Sequence, residues 1–484
     1  MHEVITLSFS QRSNCIATHL FNVAESRLQT LNDDQTDSSV LLESRPGQFG
    51  NTVNYYPRAL LWEYNNGFGS LNPSEYFESK PDIDTLKKMY PNVVTTSESI
   101  RKNNYQKALD LGTKTKGLAD SSNMKCWSDY SRVIYRPESL LKLNRWEYSF
   151  EDCKGHLRSH PEIQFKTYDV GVDEFAEKDQ TTGVEAIEEN FRKVLEDCDT
   201  LNGLNVIAEG DSAWGGFSSE CLAMIRDEYI SKSPIVTWSL TDDLSWRNLP
   251  PSDRISRIKT LRSLSSVSSL YIPLSTEPSI AKTNQKASSW VISSYQSVMV
   301  DSMMALLSQK KNRLSMSDFV GGLTRGNEER KIVTLSTIDN HIMSPGSIFD
   351  SRERKHHQKK HTFAKSVISR SSSKKGEFTE DELKKVCGFD ELINNGTNRL
   401  NLKSYIDVEC FANQLDSFPE EFRKQDFRWC SFEVTNKPQS CLGEMAGYFS
   451  RYYKNDEREE LKDDLYSMQE QYLWEDEDSD TDYE

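Results

Sequence analysis

The sequence predicts an α/β fold whose N-terminal domain is Rossmann-like and of the nucleotide-binding type. Residues 4–9 are rich in β-forming side chains, and a polar turn and a helix-like segment, residues 15–28, follow them. Residues 191–229 show the order helix, short apolar strand, glycine-containing turn and helix. Strand and helix patterns alternate over the first half of the chain, which indicates a sheet of mainly parallel strands.

The first elements are predicted from periodicity and turn residues. Apolar side chains recur at about one helical turn through residues 15–28. Residues 59–62 form a short buried strand, and Asn65–Asn66–Gly67 directly after it predicts a turn. Residues from about 100 to 185 are interpreted as an insertion into the N-terminal domain.

The later elements continue the alternation. Residues 183–197 carry an apolar stripe typical of a helix, and a second helix is predicted over residues 219–230. Residues 234–240 form the next strand. Residues 286–307 form a long central helix, since apolar side chains recur through the segment at helical spacing.

These elements predict two main domains joined by the central helix. The regions are 1–250, a nucleotide-binding-type domain with the insertion at about 100–185; 251–310, a connecting segment with the central helix; 311–450, a second α+β domain containing a basic mobile loop at 351–375; and 451–484, a C-terminal helix and an acidic tail. The basic loop is predicted from its lysines and arginines, and the tail from its run of carboxylates.

Composition limits the classes of function. The formal net charge of the 484 residues is −16 at pH 7, which disfavours general nucleic-acid binding because that function needs a basic surface. Nine scattered cysteines without a CxxC motif favour a reduced intracellular compartment. The N-terminus lacks the pattern of a targeting segment, and no stretch approaches the roughly 18 apolar residues of a membrane span. We therefore expect any organelle association to be peripheral or through a partner.

The turn at residues 209–217 stands where an α/β nucleotide-binding fold places its phosphate loop. Such loops direct backbone N–H groups at phosphate oxygens, and glycine permits close approach at a helix N-terminus. Gly210, Gly215 and Gly216 suit this role, and Ser212 supplies a hydroxyl donor. The pattern indicates a candidate phosphate-binding site.

Two residues of the same turn oppose that interpretation. The Asp211 carboxylate would repel a phosphate unless a metal ion intervened, and Trp214 is bulky where phosphate loops need little side chain. The alternative is a structural strand-to-helix turn with Trp214 packed inward.

Two other chemistries have weaker support. The turn begins like the G-x-S-x-G elbow of a serine hydrolase at Ser212, but Trp214 replaces the final glycine, and His341 is the one downstream histidine outside the basic loop. Cys153, His156 and His160 have metal-like spacing with no evident fourth ligand nearby, so no metal site is predicted.

Taken together, the segments resemble the tubulin superfamily. The start of the chain is similar to the tubulin strand, turn and helix, with Gln11 and Asn14 at matching positions. Residues 56–63, YPRALLWE, resemble the tubulin strand VPRAVxVD, with Glu63 for its aspartate. Residues 191–229 align without a gap with the tubulin helix, strand, signature loop and helix. The resemblance implies a tubulin/FtsZ-like fold.

One branch of that superfamily matches more closely, the Misato family. The segments MHEVITLSFSQRSN, YYPRALLWE, WSDYSRVIY and DSAWGGF together resemble Misato proteins. The family resemblance implies a tubulin-like protein of mitochondrial distribution and mitochondrial DNA inheritance, without enzymatic activity. It also implies a mitochondrial location with protein partners of unknown identity, and because the N-terminus lacks a targeting pattern we expect the cytosolic side of the organelle or the cytoplasm.

The alternative implied by the resemblance is a GTP-binding, self-assembling GTPase with GTP and Mg as cofactors. The residues that would then line the nucleotide are Gln11, Asn14, Glu63, Gly210, Asp211, Ser212, Gly215 and Gly216. Asn65 stands where tubulins use a glutamate near the phosphates and magnesium, and residues 320–346 contain no copy of the activating acidic loop. Because phosphoryl transfer depends on positioned charge, these departures disfavour hydrolysis.

Overall fold

The computed structural model describes residues 2–30, 36–47, 52–71, 88–89, 100–121, 123–177, 182–281, 287–311, 313–350, 360–370, 405–406 and 415–474. The described strands are β1 (Glu3–Phe9), β2 (Leu42–Pro46), β3 (Val53–Pro57), β4 (Ala59–Asn65), β5 (Leu140–Ser149), β6 (Lys154–Leu157), β7 (His160–Gln164), β8 (Leu201–Glu209), β9 (Ile235–Thr241), β10 (Leu270–Ser275), β11 (Leu335–Ile338), β12 (His341–Ile342), β13 (Thr362–Arg370), β14 (Tyr405–Ile406) and β15 (Trp429–Thr435).

The described α-helices are α1 (Gln11–Thr30), α2 (Asn104–Asp110), α3 (Tyr168–Ala176), α4 (Arg192–Glu196), α5 (Trp214–Glu228), α6 (Pro251–Val267), α7 (Ser289–Ser308), α8 (Met316–Thr324), α9 (Glu420–Arg423), α10 (Pro438–Tyr452) and α11 (Arg458–Glu470). A short helical turn, Val184–Ala186, and a π-helical turn, Ile187–Phe191, precede α4. No described helix combines the length and apolar content that crossing a membrane requires.

The main sheet has the strand order of a doubly wound nucleotide-binding fold. Six parallel strands lie in the order β5-β4-β1-β8-β9-β10, and β6 and β7 extend the β5 edge antiparallel. The strand order reverses between β1 and β8, and the carboxyl ends of those strands are where such folds bind ligands. The predicted α/β fold is confirmed.

Burial on both faces explains the apolar strand sequences. Every residue of β1, β4, β9 and β10 is buried. Helix α1 packs with the central helix α7, whereas α5 packs with α3 and α6. Strands covered on both faces need continuous apolar sequence, which is why β1, β4 and β9 were recognisable as strands, whereas β10 was not predicted.

The region predicted as an insertion contributes to the main sheet. β5 pairs in parallel with β4, and β6 and β7 form the end of the sheet. The segment therefore builds the fold's edge in addition to elaborating its surface. Helices α1 and α5 also begin earlier than predicted, at Gln11 and Trp214, so both predicted turns are shorter.

The central helix α7 closely follows its prediction over residues 286–307. Ser288 caps it, since its Oγ accepts a hydrogen bond from the Val291 N–H at 3.4 Å. Nearly all of the helix is buried, and it contacts α1 as well as β13 and β15 of the second sheet. It therefore connects the two sheets.

A buried ionic triad joins three elements around α7. Asp301 of α7 lies 2.8 Å from Arg27 of α1 and 2.8 Å from Arg370 of β13. Arg370 also donates to the Ser302 hydroxyl at 2.8 Å and to the Val298 carbonyl at 3.2 Å. Burial acts to raise the pKa of Asp301, but the two guanidinium groups outweigh it and hold the pKa below its usual value.

The second sheet corrects the prediction of a mobile loop at residues 351–375. It has the order β12-β11-β15-β13-β14, and β13, Thr362–Arg370, lies within the predicted loop. Ala364 and Ile368 are buried, and Lys365 pairs with Glu433 of β15 at 2.8 Å. The basic side chains obscured a strand whose apolar residues face the core. The rest of the predicted loop lies outside the described residues.

The C-terminal region contains two packed helices, α10 and α11. Arg262 of α6 pairs with Glu460 and Asp464 of α11, which attaches this hairpin to the main-sheet domain. The acidic tail predicted after residue 473 lies almost entirely outside the described residues.

We expect Asp301→Asn to destabilise the protein strongly. The substitution leaves two buried guanidinium groups without their shared anion, and breaking a buried pair costs about 3–5 kcal/mol. Denaturant unfolding followed by circular dichroism measures the change. Asp463→Asn, in an exposed pair with Lys462, is the control and should cost less than about 1 kcal/mol. Equal stability of both variants would contradict the structural role of the triad.

Candidate functional site

The candidate site is the crevice at the carboxyl ends of β1 and β8. Strand β1 ends at Phe9, and the φ of 106° at the following Ser10 is rare for a residue other than glycine. The Ser10 carbonyl accepts the Asn14 N–H at 2.9 Å, and its hydroxyl accepts the Ser13 N–H at 3.3 Å. These bonds start α1 immediately after the strand and compensate for the unfavourable backbone conformation.

An ion pair spans the crevice. Arg12 Nη1, on the first turn of α1, lies 3.5 Å from Glu209 Oε1 at the end of β8. The Glu209 carboxylate is the main cause of the raised pKa of Arg12. Arg12, beside the point where the strand order reverses, is thus paired with a carboxylate of the chain itself.

The structure brings Asn14 and Glu63 together but directs Gln11 elsewhere. Asn14 Nδ2 donates to the Trp62 carbonyl at 3.0 Å and to Glu63 Oε2 at 3.2 Å. Gln11 Nε2 donates to the Lys125 carbonyl at 3.2 Å. All three predicted residues lie at the carboxyl edge of the sheet.

Glu63 is fully buried at the end of β4. Burial raises its pKa to about 8, while the hydrogen bonds from the Tyr64 N–H and Asn14 act in the opposite direction. The carboxyl group is therefore largely protonated at neutral pH. A protonated, enclosed carboxyl group is a poor ligand for magnesium.

The glycines of the signature turn are required by packing. A β-carbon on Gly216 would lie 2.0 Å from the Tyr168 carbonyl oxygen of α3, and one on Gly215 would lie 2.3 Å from the Thr260 hydroxyl of α6. Both glycines are inside α5, where they allow close contact between helices. Their presence is explained without a phosphate.

Gly210, directly after β8, also has a structural role in packing against β9. Its N–H donates to the Leu240 carbonyl of β9 at 2.8 Å, and a β-carbon would lie 2.5 Å from the Ser239 hydroxyl. Ser212 accepts the Trp214 N–H on its hydroxyl at 3.4 Å, and its carbonyl accepts the Gly215 N–H at 3.0 Å. These bonds satisfy N–H groups that a phosphate loop would direct at its ligand.

The Asp211 side chain faces α6 and does not point to solvent, where it could bind a metal ion. Arg257 Nε lies 2.7 Å from Asp211 Oδ1, and the Arg257 Nη2 atom lies 2.6 Å from Asp242. Burial raises the pKa of Asp211 to about 7, against the opposing effect of the arginine. The carboxyl group links the turn to α6 and to the end of β9.

Trp214 packs inward, as the structural interpretation predicts. It is fully buried, with ring centroids 5.0 Å from Tyr64, 5.1 Å from Phe165 and 5.7 Å from Phe217. Trp214 begins α5 after β8, whereas Tyr64 lies in β4 on the other side of β1, so this ring contact links the two sides of β1. This aromatic cluster fills space beside the crevice on the α5 side.

The rival chemistries receive no added support. Ser212 is in the turn after β8, whereas His341 is in β12 of the second sheet. His156 and His160 are in β6 and β7, not on one helix face, and His156 contacts Asp152 at 2.8 Å. In the described part of the chain, no group of three His, Cys, Asp or Glu side chains could hold a metal ion.

The sequence did not identify the residues that pair with the carboxylates of the turn or pack against Trp214. Arg12 and Arg257 neutralise the two acidic residues flanking Gly210, and Phe165 from the insertion supports Trp214. The acidic residues in the turn were a usable signal, since buried carboxylates need partners. Sequence spacing could not identify which arginines meet them.

Trp214→Ala should lower the free energy of unfolding by about 3–5 kcal/mol, because a large buried aromatic side chain is lost. Thermal and denaturant unfolding measure the effect. The half-buried Trp474, which stacks on His361, provides the matched control Trp474→Ala, with a smaller expected loss. An unchanged transition for Trp214→Ala would show that the aromatic cluster is not structural.

Glu63→Gln should reduce the dependence of stability on pH. Between the ordinary pKa of 4.5 and the raised value of about 8, Glu63 keeps its proton in the folded chain and loses it in the unfolded chain. The free energy of unfolding therefore falls as pH rises through that window. Each pKa unit corresponds to about 1.4 kcal/mol. Relative to the native chain, the variant should gain stability between about pH 5 and about pH 8.5 in denaturant unfolding. Exposed Glu162→Gln is the control, and parallel pH profiles for all three chains would contradict the assignment.

Comparison with known proteins agrees with this geometry. A model described as the Misato Segment II tubulin-like domain matches residues 2–111, and one described as a tubulin domain matches residues 117–309. Together the two models cover the strands and helices that form the crevice.

Relatives named Protein DML1 match over most of the chain. The Debaryomyces hansenii protein is 32% identical over 442 residues, covering 88% of this chain and 91% of that protein. The proteins of Yarrowia lipolytica and Kluyveromyces lactis are each 29% identical over 513 aligned residues. Each alignment covers all of this chain and all of the relative. With a tubulin-like sheet, two matching family models and this extent of similarity, the chain belongs to the Misato (DML1) family of tubulin-like proteins.

Proposed function

We propose that this chain is a non-enzymatic tubulin-like protein that acts in the partitioning of mitochondria and the inheritance of mitochondrial DNA. The mitochondrial role rests on the Misato resemblance. The non-enzymatic role rests on one observation, the internal occupation of the crevice where a GTPase would hold its phosphates. The fold then serves as a scaffold for protein partners of unknown identity.

Charge pairing supports the absence of a nucleotide. Phosphate binding needs uncompensated N–H groups or cations. Here Arg12 is paired with Glu209, Arg257 is shared between Asp211 and Asp242, and the N–H groups of Gly210 and Gly215 bond to the chain. A nucleotide would have to displace several of these contacts and bring its phosphates beside carboxylates.

The packing of the turn supports the same conclusion. Opening a phosphate loop would require movement of α5, but Gly215 and Gly216 fix that helix against α6 and α3. Trp214 anchors its first turn among buried aromatic rings. The turn is therefore part of the core and cannot adapt to a ligand at small energetic cost.

The second candidate is a GTP-binding, self-assembling protein that uses GTP and Mg. Its support is the position of the turn, because β1, α1, β8 and α5 meet at the topological switch point as in nucleotide-binding folds. In that case the Arg12–Glu209 pair would open, and Asp211 would exchange Arg257 for a metal ion.

We propose that the protein works peripherally on the cytosolic side of mitochondria or in the cytoplasm. Its acidic charge of −16 opposes general nucleic-acid binding, so a role in mitochondrial DNA inheritance would act through the organelle and not through direct contact with DNA.

Purified native protein should contain no guanine nucleotide and should not hydrolyse GTP. The crevice is filled and its charges are paired, so chromatography of the acid-released fraction and a phosphate-release assay should both give background values. A tubulin preparation is the positive control. Stoichiometric guanine nucleotide, or GTP-dependent turnover and polymer formation, would establish the second candidate instead.

A matching experiment in cells uses the double variant Gln11→Ala with Ser212→Ala, because these two residues would contact a nucleotide only if the protein is the GTP-binding second candidate. In cells depleted of the native chain, this variant should restore mitochondrial DNA inheritance as well as the native chain does. Failure of both chains to restore inheritance would contradict the mitochondrial role, and selective failure of a stably folded variant would favour nucleotide dependence.

A further inference from the structure

The segment after α2 exposes apolar and basic side chains together. It comprises residues 111–118, Leu-Gly-Thr-Lys-Thr-Lys-Gly-Leu, and is called here the leucine–lysine loop. Leu111 is 76% exposed and Leu118 is 39% exposed, the former being the largest exposed fraction among the described large apolar side chains. Lys114 and Lys116 between them are also exposed.

The loop is held in this form by hydrogen bonds. Gly112, with φ of 62°, ends α2, and the Thr113 N–H donates to the Ala108 carbonyl at 2.9 Å. The Leu118 N–H donates to the Thr115 carbonyl at 3.0 Å, closing a turn through Gly117, whose φ is 85°. The exposure of the leucines is thus a property of an ordered turn.

A buried anchor attaches the loop to the domain. The hydroxyl of buried Thr115 bonds to the Asp416 carboxylate, which also accepts from the Tyr105 hydroxyl at 3.1 Å and pairs with Arg132 at 3.2 Å. The loop therefore projects its leucines and lysines from a fixed base, which reduces the entropy lost on binding.

The local charge is opposite to that of the whole chain. Lys107, Lys114 and Lys116 form no ion pair with any described carboxylate, and Arg101 adds another exposed cation. The one acidic residue of this stretch, Asp110, is paired with Lys102 at 2.7 Å. In a chain of net charge −16, such a basic, leucine-tipped loop would orient the molecule toward an anionic surface.

From these observations we propose that the leucine–lysine loop docks the protein on an anionic phospholipid bilayer. The leucine side chains enter the interfacial region, and the lysines contact lipid phosphates and carboxylates. A lipid surface accounts for both features, since neither the exposed apolar area nor the unpaired cations are satisfied within the described chain. The attachment is weak and reversible because few groups take part.

The leucine–lysine loop would be the contact surface for the proposed peripheral association. The lipid contact rests on the proposed function only in that it is placed at mitochondria. Binding to vesicles needs neither nucleotide nor a mitochondrial partner. A lack of lipid binding would leave a protein-mediated mitochondrial role standing, whereas bound GTP would overturn the non-enzymatic role without affecting the lipid contact.

The test is co-sedimentation of the full chain with phosphatidylcholine vesicles, with and without phosphatidylserine. We expect binding only to the anionic vesicles, and weaker binding as salt is raised. The variants Leu111→Ser with Leu118→Ser, and Lys114→Glu with Lys116→Glu, should each bind roughly tenfold more weakly or worse. Because these side chains are exposed, the thermal unfolding of each variant should match that of the native chain.

Matched controls change similar residues elsewhere on the surface. Leu244→Ser removes another exposed leucine, and Lys232→Glu with Lys454→Glu reverses two exposed charges outside the loop. Both controls should bind like the native chain. The proposal is overturned if native protein ignores anionic vesicles or if loop and control variants bind equally. It is also overturned if the leucine variants alter only self-association in sedimentation velocity, since the loop would then contact a second copy.

Discussion

The buried contact between Asp301 and the two arginines sets the relation between the halves of this molecule. A carboxylate placed inside a protein is tolerated only when its charge is matched, and here one cation comes from α1 and the other from β13. The pairing holds the central helix in one position between the main sheet and the second sheet. Hydrogen bonds from Arg370 to the Ser302 hydroxyl and the Val298 carbonyl satisfy the additional donors.

With the central helix and α1 fixed, the carboxyl ends of the main strands have little freedom. The crevice keeps the layout of a nucleotide-binding fold, and Asn14 and Glu63 at its base are fully buried. Trp214 and Phe165 provide apolar filling, while Arg12 and Arg257 neutralise carboxylates of the turn. Such a site stabilises the protein through the groups that would otherwise bind a ligand. This arrangement is the basis for the proposed scaffold function of a tubulin-like architecture.

Charge has a different role at the surface. The arginines near the crevice are paired with carboxylates of the turn, whereas the lysines of the leucine–lysine loop lie beside two exposed leucines and form no ion pair with a described carboxylate. The two regions lie in the same domain, and the loop presents groups that a partner can contact without opening the core. Interaction in this protein is therefore more easily placed on its periphery than at its ancestral crevice.

The sequence predicted the α/β class and the central helix, because buried parallel strands need continuous apolar runs and helices show their periodicity, and its motifs predicted the family. It also indicated that Asp211 and Trp214 are unsuited to a phosphate loop. The tertiary structure alone decided what the glycines of α5 do, since a glycine for packing and one for a ligand look identical in sequence, and only the Tyr168 carbonyl beside Gly216 distinguishes them. Likewise β13 was hidden by its basic side chains, and the partners of Asp211 and Asp301 come from distant segments that only folding brings within reach.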